Sequence, residues 1–207
     1  LAIEEAVLDR ETLDGKEGIE AVLEDIEPGT LTEAEKEGIL MMREEEKLAR
    51  DVYLTLAEKW NIPVFANIAR SEQTHMETME RLIERYNLDD PVHNEATSNR
   101  GSYGNEEFES LYSDLTERGL SSYEEAVKVG ALIEDLDIAD LQKLISESGN
   151  EDVKIVYRNL LKGSRNHLRA FDRQLARTGV SYSPEYISQD EYEQIVSSRN
   201  EAGVIIE

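Results

Sequence analysis

FANIARSEQTHMETMERL, residues 65–82, is the stretch whose reading decides the fold. Phe65, Ile68, Glu72, His75, Met79 and Leu82 recur at steps of three and four, the spacing that places side chains on one face of an α-helix. Four of the six are apolar, so this face must be buried. Glu72 and His75 stand where a leucine or isoleucine would be expected. The stripe runs on to Tyr86, and Pro63 lies near the first turn, where its missing N–H does no harm.

Upstream, Thr32 and Glu35 have capping-box spacing, in which each side chain satisfies a free backbone N–H of a helix's first turn. From there Ile39, Met42, Glu46, Ala49, Tyr53, Leu56 and Trp60 form a second stripe, which stops at Asn61-Ile62-Pro63. So short a break forces the two helices to run antiparallel. Downstream, residues 87–121 hold Pro91, Gly101, Gly104 and a short amphipathic piece with Phe108, Leu111, Tyr112 and Leu115. A connection of that length can return the chain to the other end, so that the helices on either side of it become parallel neighbours.

The third long helix opens at Ser122, with Glu125 as its capping partner, and carries Tyr123, Val127, Gly130, Glu134, Asp137, Leu141 and Leu144 inward. It ends at Ser148-Gly149-Asn150, where Asn150 is expected to cap the fourth. That helix turns Val153, Val156, Leu160, Ser164, His167, Phe171 and Leu175 inward and stops at Gly179. The expected fold is all-α: a four-helix bundle over residues 31–179 with one long crossover that contains a short helix. Residues 1–30 hold ten acids against Arg10 and Lys16 and are expected to be a mobile arm or an added helix ending at Pro28-Gly29. Residues 180–207 form a polar tail with a weak helical pattern around Tyr192 to Val196.

The chain of 207 residues carries a net charge of −24, and a surface that negative repels nucleic acid and anionic lipid. No apolar run approaches the ~20 residues that span a membrane. There is no cysteine, which excludes disulfides, thiolate metal sites and cysteine nucleophiles. A chain that opens at Leu1 rather than Met suggests a leader or other segment removed upstream, which leaves both cytoplasmic and extracytoplasmic placement open.

Most acids fall on helix faces expected to meet water. Glu46, Glu72, Glu134 and Asp137 instead interrupt the apolar stripes, joined by His75 and His167. An unpaired buried carboxylate costs several kcal/mol, and four together repel one another. Two divalent cations would balance four carboxylates, and every helix supplies at least one ligand at similar depth. Oxygen-rich ligation with imidazole and no sulfur suits iron or manganese, with zinc a third choice. Tyr53, Ser164 and Arg165 adjoin the stripes as residues that could steady a ligand. A salt-bridge network in which Arg50, Arg70 or Arg165 neutralises the acids is the metal-free alternative. Met42, Met76 and Met79 read as core filling, and His93 as a solvated loop residue.

At these positions the chain resembles the ferritin-like, rubrerythrin-type di-metal carboxylate proteins, and its wording is closest to DUF2202, a prokaryotic branch of that superfamily. Glu46 with Ala49, Arg50, Asp51 and Tyr53 is similar to the run around the first iron ligand of rubrerythrins. Glu72-Gln73-Thr74-His75 is similar to the first Glu-x-x-His of that family, and Glu134 with Asp137 to its third-helix pair of glutamates. The resemblance covers about residues 32–178 and departs at Ser164, where the second Glu-x-x-His would have an acid. Asp137, a water or a substrate oxygen would have to take its place. The resemblance implies two metal ions, dioxygen or peroxide as substrate and, without a cysteine-ligated rubredoxin domain, a separate electron donor. A homodimer suits such a chain. A metal-binding or iron-handling protein without turnover and a metal-free helical interaction module are the competing readings.

Overall fold

The computed structural model describes residues 15–94 and 96–206. Among them are seven helices and no strand: α1 (Gly15–Glu24), α2 (Glu33–Trp60), α3 (Pro63–Arg85), α4 (Glu106–Ser121), α5 (Tyr123–Glu147), α6 (Glu151–Thr178) and α7 (Gln189–Ser197). No helix among the described residues is long and apolar enough to cross a membrane.

The long helices begin and end where local chemistry directs. Thr32 Oγ1 accepts from Glu35 N–H at 3.2 Å, and Glu35 returns the bond to Thr32 N–H at 2.9 Å, which starts α2. Asn61 adopts the left-handed conformation (φ 50°) and ends it, and Pro63 opens α3. Ser122 accepts from Glu125 N–H and starts α5, and Gly179 (φ 72°) stops α6. Asn150 stands at the N-cap of α6 but its side chain does not cap it. The side-chain amide donates instead to Thr30 O and to Glu35. Glu35 also accepts from Ser148 Oγ and from the N–H groups of Gly149 and Asn150, so one carboxylate serves both the start of α2 and the α5–α6 turn.

Helix α2 packs on α3 and α5, and α6 packs on α5 and α3, so the four long helices enclose one core. Every stripe residue named above is buried except Trp60, Tyr86, Tyr123 and Leu144 at the ends, which are half-buried. Each fully buried Leu, Ile or Phe contributes roughly 1.5–3 kcal/mol. The end of α5 lies by the start of α2, through Ser148 and Glu35, and the end of α3 by the start of α6, through Arg85 and Asp152. Helices α3 and α5 are therefore parallel, as the crossover length implies. They are not neighbours, however: they lie diagonally, each between α2 and α6.

The crossover holds a full helix, α4, which lies on α2 and α5. Residues 1–14 of the acidic segment lie outside the described residues; of the remainder, Gly15–Glu24 form α1, which buries Ile19, Val22 and Leu23 on α3 and α6. The tail is anchored. Asp135 accepts from Tyr182 OH and from the N–H groups of Glu185, Tyr186 and Ile187. Helix α7 buries Tyr192 and Ile195. Beyond it, the amides of Asn159 and Asn166, two turns apart on α6, each make two hydrogen bonds to the main chain, at Ile205 and Glu201 respectively.

Candidate metal centre

Glu72 sits mid-way along α3, and its two carboxylate oxygens face different histidines. Oε2 lies 2.8 Å from Nδ1 of His75, one turn along the same helix, and Oε1 lies 2.8 Å from Nδ1 of His167 on α6. Glu46 of α2 closes the first group, with Oε2 3.1 Å from His75 Nδ1. Glu134 of α5 closes the second, with Oε2 3.3 Å from His167 Nδ1. Two buried triads result, Glu46–Glu72–His75 and Glu72–Glu134–His167, each with its ligand atoms within 4.8 Å of one another. They share Glu72. The imidazole rings are stacked, with centroids 5.5 Å apart.

One hydrogen bond, between His75 Nδ1 and Glu46 Oε2, joins two of these atoms; most of the others have none. Both Glu72 oxygens, Glu46 Oε1, His167 Nδ1, Asp137 Oδ1 and both Glu45 oxygens are buried and lack a hydrogen-bond partner. They are seven of the nine such atoms among the described residues. A buried lone pair without a donor costs ~1–3 kcal/mol, more when charged. Two oxygens and one nitrogen converging on each side of Glu72 are a donor set that a divalent cation fits.

Neighbouring contacts fix the orientation of these side chains. Tyr53 OH donates to Glu134 Oε1 at 2.5 Å. Ser164 OH donates to Asp137 Oδ2 at 2.5 Å, so the aspartate of α5 reaches toward the place where α6 lacks an acid. Asp137 belongs to neither triad. Arg165 points away from the centre and pairs with Glu201. Arg50 holds Asp51 and Gln73, and Arg70 holds Asn67, so none of the three arginines is hydrogen-bonded or ion-paired to the core acids.

Three residues that the stripes did not single out also belong here. Ser71 Oγ lies 2.9 Å from His167 Nε2, which leaves Nδ1 to face the carboxylates. Gly163 lets α6 approach His75: a Cβ there would lie 2.4 Å from the ring. A glycine inside a helix, about 1 kcal/mol worse than alanine, is the visible sign of such a contact. Glu45 is a fifth buried carboxylate, next to Glu46.

Burial disfavours charge on both imidazoles, yet their neighbours outweigh it. Glu46 and Glu72 raise His75 well above its usual value, and Glu72 with Glu134 brings His167 up to about 10. Burial would likewise raise Glu72, but the imidazoles of His167 and His75 hold it well below the ordinary carboxylate range. Burial pushes Glu46 up to about 7, His75 opposing and Glu72 and Glu134 adding to the rise. Burial raises Asp137 strongly, reinforced by Glu46, Glu45 and Glu134. Protons and cations would thus compete for the same atoms.

A third convergence, Glu80, Asp90 and His93, lies toward the surface. Arg43 already fills it, 2.9 Å from Asp90 and 3.8 Å from Glu80, and His93 is exposed as its loop position implies.

The family sequence profile described as an uncharacterized protein domain, DUF2202, matches residues 35–199. The chain belongs to the DUF2202 family. Among its relatives is the uncharacterized protein MJ0754 of Methanocaldococcus jannaschii, 57% identical over 174 residues, which span 84% of this chain and 92% of the relative. The crystal structure of the hypothetical protein MJ0754 from Methanococcus jannaschii superposes with a TM-score of 0.82 at 56% identity, covering 85% of this chain and 99% of the other. The matched DUF2202 region contains both triads and every supporting residue named above.

Proposed function

We propose that the four long helices form a ferritin-like, rubrerythrin-type bundle whose core binds two divalent metal ions; iron or manganese there would serve the reduction of dioxygen or peroxide, whereas zinc, the third choice, is redox-inert and would give binding without turnover. The observation that carries this reading is Glu72, which offers one oxygen to each of two buried triads while neither oxygen is hydrogen-bonded.

Glu72 would bridge the pair, His75 and Glu46 would hold one ion, and His167 and Glu134 the other. Iron ions in such a site supply electrons for the two-electron reduction of dioxygen or hydrogen peroxide. The chain's own residues position and insulate. Tyr53 fixes the rotamer of Glu134, Ser71 fixes the ring of His167, and Ser164 orients the carboxyl group of Asp137 beside the pair. Ile68, Met79, Leu141 and Phe171, all buried, keep bulk water from the other sides. With no cysteine in the chain, electrons would come from a separate donor.

The test is metal analysis of protein produced with added iron, followed by oxidation of the ferrous protein. About two ions per chain and faster oxidation by hydrogen peroxide than by dioxygen are expected. Bound ions without faster oxidation by peroxide would remove the peroxidase reading, and bound ions that neither oxidant oxidises would favour metal handling without turnover. Near-zero metal, with no loss of stability in chelator, would favour a metal-free interaction module.

A further inference from the structure

Two buried carboxylates belong to neither triad: Glu45 of α2, 3% exposed, and Asp137 of α5, 4% exposed. Neither Glu45 oxygen has a hydrogen-bond partner, nor has Oδ1 of Asp137, since Ser164 takes only Oδ2. Three links fix how α2 lies along α5. Ser148 Oγ donates to Glu35, Leu144 packs so close to Gly38 that a Cβ there would lie 2.6 Å from it, and Tyr53 OH lies 3.3 Å from Gly130 O. They describe one steady antiparallel register, which sets Glu45 level with Asp137 and Ile138. Burial pushes both carboxyls well above the ordinary range. Asp140 and Glu46 add to the rise at Glu45, and Glu46, Glu45 and Glu134 to that at Asp137, so these acids act on one another across the α2–α5 seam.

The row continues to the surface. On α5, Glu134, Asp137 and Asp140 recur every three residues, a step of ~5–6 Å along one helix face. The first two are buried and the third is half-buried. Asp140 lines a groove of about 270 Å³ between α2 and α5, together with Glu37, Glu147 and Lys143, which sets three carboxylates against one ammonium. A cleft with such an excess of one sign concentrates counter-ions. The larger cavity, of about 520 Å³, borders His75 and His167 between α3 and α6, but Glu201, the one carboxylate on its wall, is held by Arg165 and Arg169. The acids that could draw a cation inward thus lie on the α2–α5 side.

We propose that Asp140, Glu45 and Asp137 form an entry path that passes divalent cations from the α2–α5 groove to the centre at Glu46, Glu72 and Glu134. The path rests on the metal reading, and it gives Glu45 and Asp137 delivery rather than ligation. A cation pausing at either acid displaces its proton and meets oxygens that nothing else in the fold satisfies.

The experiment mixes the chelator-treated full chain with cobalt(II) in a stopped-flow instrument and follows the d–d absorption to its end point. Glu45→Gln and Asp140→Asn should reach the native end point, the first about tenfold and the second about threefold more slowly. Thr74→Val, in the wall of the larger cavity, should load at the native rate. Native-rate loading by either acid variant, or equal slowing by Thr74→Val, would overturn the path. A lowered end point in Glu45→Gln would also overturn it, since Glu45 would then be a ligand. A native chain that takes up no cobalt would instead remove the metal reading, and the path with it.

Discussion

Two faces of α2 bury charge in opposite ways. Toward the crossover, Arg43 pairs with both oxygens of Asp90 and donates to Met76 O. Lys47 donates to Asp51 and to Asn99 O, and lies 4.3 Å from the centre of the Tyr103 ring. Asp51 also accepts from Arg50, Gly101 N–H and Tyr103 OH, and Glu44 accepts from Gly104 and Asn105 N–H. Toward α3, α5 and α6, Glu45 and Glu46 are as deeply buried, yet three of their four carboxylate oxygens have no hydrogen-bond partner. Burial of charge is common to both faces; lack of partners distinguishes the second. A latch that fastens the crossover needs every group satisfied, whereas a ligand site must keep lone pairs open.

The largest expected effect breaks the saturated face. Asp51→Ala leaves the Lys47 ammonium buried without its counter-charge and should cost ~3–5 kcal/mol in urea unfolding, with or without chelator. Next, Glu72→Ala removes the residue common to both triads. Isothermal titration with divalent metal should show affinity lowered more than ~100-fold, beyond what the loss of an orienting partner alone would cause. A sharper contrast comes from neighbouring residues. Glu44→Ala orphans two loop N–H groups and should cost ~1–3 kcal/mol, while Glu45→Leu should leave chelator-treated protein unchanged or more stable, because an unpartnered buried acid is replaced by an apolar side chain.

The smallest effect concerns Glu35, a saturated carboxylate far from the centre. Burial would raise its pKa, but bonds from Thr32 N–H, Asn150, Ser148 and Thr32 OH outweigh it and bring the value to about 2, from 4.5. A lowered folded-state value means that its contribution is complete above pH 4.5 and is lost as pH falls toward 2. Thermal unfolding should therefore weaken across that window in the native chain, and less so in Glu35→Gln.

Helix boundaries were legible because local groups set them: the Thr32–Glu35 box, Asn61 before Pro63, Ser122 with Glu125, Gly179. Glu46, Glu72, His75, Glu134 and His167 were legible because polar residues interrupt apolar stripes of regular step, and all five enter the triads. Asp137 was read as a ligand, but the structure gives it a bond to Ser164 and places it outside both. A single stripe could not reveal that α2 is buried on a second face, which holds Arg43, Glu44, Glu45, Lys47 and Asp51. The same holds for Asp135 and Asp152, buried by their bonds to the tail and to Arg85 and Tyr86. Nor could the anchored tail be read, since Asn159 and Asn166 bind main-chain groups, which leave no mark in the sequence. The diagonal placement of α3 and α5 is set by packing, which the length of a connection does not determine.

Anomalous diffraction at the iron edge, from crystals of protein produced with iron, tests the central claim most directly. Two peaks are expected on either side of Glu72, one beside Glu46 and His75 and the other beside Glu134 and His167. Crystals with no peak at Glu72, or with their only peak at the Glu80–Asp90–His93 surface group, would contradict it.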